Sequence, residues 1–355
     1  MYQIADACRD PFVAERVRIL RVRFGFVQEL TESTVPLLHG FMDQLVRLRE
    51  YHVVYHDYTL QPFLIKPLRI ARSLRKLKIE SSTGALKTLL SPNIVLTDLE
   101  EVSIVLHGIG NDLSIQTAQW INNSAQSLCS LSLATRQPID CGPFFDTLVP
   151  FPNLTSVTLS IPSDKPHIGS PLALQTFLSN NSNSIQTLAL KPHPNQESSL
   201  DSEEESSSWG LEEWLNTCIN DLTLPSLTSL AIDTKRYPFQ KTLESFSSTL
   251  HKLDISGVYI PPQDIEPLLS SILTPHLRKL TLGPIRLYPE IIDLVALKAP
   301  KLVHLDLRIG DVVPTRDSVP IIQPTPATWG GLRRANRTSI VQLVGQIVSK
   351  DEIKR

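Results

Sequence analysis

Residues 250–255 read LHKLDI, residues 277–282 read LRKLTL and residues 302–307 read LVHLDL. Each run places an apolar residue at its first, fourth and sixth positions. In an extended chain, residues two apart share a face. The fourth and sixth positions therefore point one way, and the mostly polar residues around them mark the other face as wet. Working outward, the same template fits at Val17/Leu20/Val22, Leu48/Tyr51/Val53, Leu74/Leu77/Ile79, Leu99/Val102/Ile104, Leu128/Leu131/Leu133, Leu154/Val157/Leu159, Ile185/Leu188/Leu190 and Leu227/Leu230/Ile232. With the opening three that makes eleven copies, whose starts are separated by 31, 26, 25, 29, 26, 31, 42, 23, 27 and 25 residues. One apolar triplet means little, but eleven at a nearly regular period define a repeat. A strand of this kind cannot bury its apolar face alone, whereas stacked copies share a continuous core.

Segments with helical periodicity lie between the strands, as parallel strands require. Leu30–Leu45 carries Thr31 or Ser33 as a cap before an apolar run. Pro171–Leu178 opens on a first-turn proline. Gln263–Leu273 places Ile265, Leu268, Leu269 and Ile272 on one face, and Leu287–Leu297 does the same with Ile291, Ile292, Val295 and Leu297. Strand, crossover and strand every 25 to 30 residues predicts an α/β leucine-rich-repeat solenoid over residues 1–310, an irregular horseshoe of about eleven parallel strands with outer helices.

Two segments break the rhythm. The 42-residue interval contains His193–Trp209, an acidic, Ser-rich insert that reads as a mobile loop. Within it Ser198 and Ser202 each have an acid three residues on, the spacing an acidophilic kinase uses; a chance match in a Ser/Glu-rich tract stays open beside that reading. Residues 311–330 form a Pro-rich linker. In residues 331–355 the positions Ile340, Val341, Leu343, Val344, Ile347 and Val348 predict a helix that caps the core, with partner docking as its alternative.

Composition narrows the function. The 355 residues hold 34 Lys+Arg against 36 Asp+Glu, with 41% apolar and 20% charged residues. That balance lacks the basic footprint of a dedicated nucleic-acid binder. No stretch reaches the roughly 18 to 20 apolar residues of a membrane span, and the opening MYQIADACRDPF lacks a signal-peptide core. Cys8, Cys129, Cys141 and Cys218 are scattered without a CxxC pair, which fits a reducing compartment and a cytoplasmic or nuclear location. The chain carries no GxxxxGK[ST], GxGxxG after a strand, HExxH or GxSxG. His52 and His56 share a strand face without further ligands at matching heights, so no metal and no cofactor is expected. Cys129 and Cys141 lack a basic neighbour to activate them. Trp209 and Trp214 flank the insert and read as helix-to-core packing.

The runs LRKLKI, LTSVTL, IQTLAL, LTSLAI, LHKLDI, LRKLTL and LVHLDL, linked by short irregular helices, resemble the repeat region of fungal F-box/leucine-rich-repeat proteins. The opening PFVAERVRILRV resembles the point where, in that family, the F-box gives way to the first repeat. The resemblance covers roughly Pro11–Gly310. It implies a non-catalytic module similar to the substrate-recognition part of a ubiquitin-ligase receptor, binding a protein through the concave strand face. Only about ten residues precede the resembling stretch that opens at Pro11, so the adaptor-docking F-box, and with it the cullin-ligase adaptor as a partner, is not expected in this chain. The Asn or Cys that regular repeats carry eight residues after the first leucine is also missing from all eleven copies, which predicts an irregular stack.

On the concave face the expected binding residues are Arg21, Arg23, His52, Lys76, Lys78, Ser103, Ser132, Thr158, Asp233, Asp254 and Asp306. The first repeats are basic, the middle is small and hydroxyl-bearing, and the last carry aspartates. The densest charge cluster is Arg21, Arg23, Lys76 and Lys78 with His52 and Glu50 between them, and an acidic partner segment is its complement. Two other classes stand beside this reading. One is a stacked-strand, β-helix-like enzyme acting on carbohydrate, using Asp254 and Asp306 two strands apart. The other is a repeat scaffold unrelated to ubiquitination.

Overall fold

Every copy of the template becomes a strand, and each strand begins two residues after its first apolar position. The computed structural model describes residues 10–24, 42–55, 65–82, 86, 90, 94–107, 111–135, 140–161, 170–192, 217–219, 222–233, 246, 248–260, 262–312 and 341–346. Its strands are β1 (Ile19–Phe24), β2 (Glu50–Tyr55), β3 (Lys76–Ser82), β4 (Glu101–His107), β5 (Ser130–Thr135), β6 (Ser156–Ile161), β7 (Thr187–Pro192), β8 (Ser229–Asp233), β9 (Lys252–Ile260), β10 (Lys279–Leu287), β11 (His304–Val312) and β12 (Val341–Gln346). Cα packing divides the chain into two compact units, Met1–Ile185 with His193–Cys218 and Gln186–Pro192 with Ile219–Arg355. In the first unit β1 to β6 pair in chain order, all parallel. In the second, β7 to β11 do the same.

The apolar template positions make the core of each unit. From Leu48 to Leu307 all of them are buried, and Tyr51, Val53, Leu188, Leu230, Leu253 and Leu280 have no exposed surface. Removing each such side chain from water stabilises the fold by about 1.5–3 kcal/mol. Only the first copy differs, since Val17, Leu20 and Val22 are half-buried.

Tight turns precede several strands. Before β6, β8, β10 and β11 the first apolar residue closes onto the carbonyl three residues earlier: Leu154 N–H to Phe151 O at 3.1 Å, Leu227 to Leu224 at 3.1 Å, Leu277 to Thr274 at 3.1 Å and Leu302 to Ala299 at 3.0 Å. In these four turns the second residue is proline (Pro152, Pro225, Pro275, Pro300), whose fixed φ suits that place. The carbonyl of the next residue then accepts two N–H groups from the following repeat. Arg18 O takes Arg49 and Glu50, Arg49 O takes Arg75 and Lys76, and Arg278 O takes Val303 and His304, at 2.8–3.0 Å. A main-chain ladder thus joins neighbouring repeats although the asparagine of regular repeats is absent.

A short helix, α1 (Pro11–Ala14), precedes β1, and others cross between strands: α2 (Lys66–Ile70), α3 (Asn111–Asn122), α4 (Gly142–Thr147), α5 (Pro171–Asn180), α6 (Pro262–Ile272) and α7 (Pro289–Lys298). Four open on proline, whose missing N–H costs nothing in a first turn. In the first unit Phe145 and Phe151 both pack on Phe177, at 5.6 and 6.3 Å between ring centres. Side-chain amides brace the loops behind the sheet. Asn181 Oδ1 accepts from Phe151 N–H at 2.7 Å while its Nδ2 donates to Phe177 O at 2.7 Å. Asn122 does likewise with Val149 N–H and Thr147 O.

Two expectations change. Residues 341–346 form a strand, antiparallel to β11 with Leu307 opposite Leu343, where spacing had predicted a helix. The segment VQLVGQ sits in a run rich in Val and Ile, which suits a pleated strand, and its apolar residues also fit a period of two. On α6 the predicted face holds, with Ile265, Leu268, Leu269 and Ile272 all buried. On α7 it does not: Ile291 and Val295 are buried, but Ile292 and Leu297 are 38% and 77% exposed, and Leu287 belongs to β10. Ile291 and Val295 are one turn apart, whereas their neighbours point a quarter-turn or more away. The helix over Leu30–Leu45 lies outside the described residues up to position 41. So do most of the Pro-rich linker, the acidic insert with Ser198, Ser202 and Trp209, and Cys8, His56 and Trp214.

Candidate functional site: the exposed strand face

Because the strands pair in register, template positions become straight rows across the sheet. In the first unit Arg21, His52, Lys78, Ser103, Ser132 and Thr158 are successive direct partners. In the second, Ala189, Ala231, Asp254, Thr281 and Asp306 are. Neighbours in a row stand about 4.8 Å apart. Arg23 lies in the adjacent row opposite Val54, and Lys76 lies in the row on the other side between Glu50 and Glu101. Asp233 pairs with Ser256 at the end of β8. The residues expected on this face therefore do share it, unit by unit.

The face is less open than expected at some places. Val54 and Val105 are 3% and 8% exposed, short side chains in a row whose other members include Arg23 and Glu80. Thr281 and Ser256 are also buried. Gly283 approaches β11 so closely that a Cβ would come within 2.3 Å of Arg308 Cβ, and its φ of 150° favours glycine as well.

Half of the basic cluster is already matched. Arg21 Nη2 donates to Glu50 Oε1 at 3.0 Å, and Lys76 Nζ donates to Glu101 Oε1. The Glu101 bond raises the Lys76 pKa. Arg75 and Glu100 form a further pair at 2.6 Å at the strand entries. The signal for this was in the sequence: Glu50, Lys76 and Glu101 alternate in sign at one template position, and opposite charges directly across a strand pair attract. Arg23 and Lys78 are exposed and have no ion-pair partner among the described residues.

His52 sits in the middle of this patch. Burial lowers its pKa first, then the charges of Lys78 and Arg21; Arg23 adds to the shift and Glu80 opposes it. These effects favour the neutral ring, and its buried Nε2 has no hydrogen-bond partner. At the other end of the chain Asp254 and Asp306 flank Thr281 in one row, and Asp254 Oδ1 is buried without a hydrogen bond. The thiols are set for structure. Burial pushes Cys141 up to about 12, with Asp140 adding to the rise, and burial also raises Cys218. Cys129 is half-buried with its Sγ 3.4 Å from Ser127 O.

Among the described residues no group of three His, Cys, Asp or Glu side chains could hold a metal ion, and no helix is long and apolar enough to cross a membrane. No protein-family model matches the chain, and no curated protein matches it in sequence.

Proposed function

We propose that the chain is a non-catalytic protein-interaction module of the leucine-rich-repeat type that binds its partner through the exposed strand face, as the substrate-recognition part of an F-box ubiquitin-ligase receptor does. The observation that carries this reading is the row Ser103, Ser132 and Thr158, in register on three adjacent strands and only partly buried. A floor of short hydroxyl side chains lets another backbone come close, and stacked repeats bind through extended faces of this kind. Charged rows at its edge give the partner a direction rather than most of its affinity.

The test is capture of a partner from the native cell by the intact chain and by Ser132→Arg and Thr158→Arg. Those bulky cations should remove the partner while leaving the circular-dichroism spectrum unchanged, because both positions face away from the core. If both variants capture the same protein as the parent, the exposed face is not the binding surface. Recovery of cullin-ligase subunits with the partner would extend the family reading, and their absence together with a specific partner would favour a repeat scaffold outside ubiquitination. The carbohydrate-active alternative rests on Asp254 and Asp306, and their row places Thr281 between them, where a sugar would need an aromatic platform.

A further inference from the structure

Within the binding face one spot combines buried polarity with unspent charge. His52 presents an Nε2 that is buried and unpartnered. Arg21 and Lys78 are its direct neighbours on β1 and β3, and Arg23 reaches the same ring by its charge. Arg21 already holds Glu50, and Glu80 is engaged, so the unspent cations are Arg23 and Lys78. With Glu50 paired to Arg21 and Glu80 engaged, Arg23 and Lys78 leave net positive charge beside a ring nitrogen that has no hydrogen-bond partner. We infer that β1 to β3 form a seat for a carboxylate from an acidic segment of the partner, held between Arg23 and Lys78 and taking up a proton at His52 as it binds. The inference rests on the exposed face being the binding surface and names the partner chemistry that one corner of it selects.

The physical consequence is a linked proton. In the free chain the ring loses its proton readily, since burial, Lys78, Arg21 and Arg23 all disfavour the imidazolium and only Glu80 favours it. Glu50, Lys76 and Glu101 complete the charged groups on the strands packed around it, and the two pairs they join leave little net field. A carboxylate held beside the ring by Arg23 and Lys78 favours the imidazolium by its charge and raises the pKa back towards the ordinary histidine value. Affinity for an acidic segment must then rise as pH falls through the bound-state value and level off below the lowered free-state value.

The experiment uses the full chain and fluorescence anisotropy with a labelled oligoglutamate peptide, an oligolysine peptide of equal length, and anionic phospholipid vesicles. Oligoglutamate should bind and oligolysine should not, with affinity falling steeply as salt is added. Arg23→Glu with Lys78→Glu should weaken the binding by about five- to tenfold, since exposed pairs contribute modestly one at a time. His52→Gln keeps a polar side chain of similar length but cannot be protonated, so it should retain binding at high pH and lose the gain at low pH. Equal binding of both peptides, an unaffected double reversal, or a pH gain that survives His52→Gln would each overturn the seat. Capture by vesicles in preference to oligoglutamate would move the patch to a membrane surface and equally overturn it. If the double reversal changes nothing while Ser132→Arg still blocks the native partner, the module reading stands and the carboxylate seat alone falls.

Discussion

Strands β1 and β11 carry the same template yet end their units differently. In β1 the three apolar positions are only half-buried, Ile19 is 53% exposed, and the outer positions hold Arg21 and Arg23. In β11 the corresponding Leu302, Leu305 and Leu307 are 2%, 6% and 0% exposed, and the far edge is paired with antiparallel β12. A parallel strand at an edge offers unpaired N–H and C=O groups to any other chain, and a reversed strand closes that edge on one side. The repeat pattern sets where a strand forms. Whether that strand is core or boundary depends on what is packed beside it.

Removing β12 should break this contrast most visibly. A chain ending at residue 340 leaves the β11 edge open, so concentration-dependent association, read by light scattering, should rise sharply against the full chain. A truncated chain that stays monomeric at high concentration would mean the β12 pairing does not protect that edge.

A sharper probe uses one residue type at one template position. Leu20 and Leu280 are both second apolar residues, half-buried in β1 and fully buried in β10. Leu280→Ala should cost about 2–5 kcal/mol, and Leu20→Ala about 1 kcal/mol or less, because the surroundings of an edge residue already reach water. Denaturant melts of the two variants decide it; equal losses would show that β1 is covered as fully as β10.

Behind the sheet the first unit relies on amides where the second ends α6 and α7 on buried Leu273 and Ala299. Asn181 satisfies the Phe151 N–H and the Phe177 carbonyl at once, at 4% exposure. Asn181→Ala leaves both buried groups without their partner and should destabilise by about 1–3 kcal/mol, read by thermal melting. Asn181→Asp keeps the acceptor but sets a buried carboxylate oxygen against the Phe177 carbonyl, so it should melt no higher than the alanine variant. A melting point unchanged by the alanine variant would show that other groups replace the amide.

Much of this architecture was legible because burial on one face of a strand enforces a period of two. A one-residue slip would turn Leu230 and Ile232 outward, so their spacing had to predict the register. The C-terminal segment is ambiguous for the same reason in reverse. Six apolar positions in nine residues satisfy a helical stripe and an alternating strand almost equally, and the unpaired edge of β11 decides between them. The proline turns before β6, β8, β10 and β11 were also in the sequence, as FPNL, LPSL, TPHL and APKL, but lie one step outside the apolar template. On the binding face, residue types fixed which side chains share a row. They did not fix which charges are consumed by their neighbours, because that depends on rotamers across strands 25 or more residues apart.

The smallest effect is the most informative about that last point. Arg21 and Glu50 form an ion pair with side chains 68% and 26% exposed. A double-mutant cycle of Arg21→Ala and Glu50→Ala should give a coupling of roughly 0.2–1 kcal/mol, shrinking as salt is added. The pair therefore adds little to the fold, but it holds a guanidinium beside His52 in a neutralised state. Glu50→Ala should leave stability almost unchanged while making the patch more basic, so oligoglutamate should bind it more tightly than it binds the parent chain. Arg21→Ala removes one of the cations that disfavour the imidazolium, so His52 should titrate closer to its ordinary value of about 6.5. Proton NMR of the His52 ring across a pH series reads that shift directly. A ring that titrates identically in the parent and in Arg21→Ala would mean that Arg21 contributes charge to the face but not to its proton chemistry, which burial and Lys78 then govern.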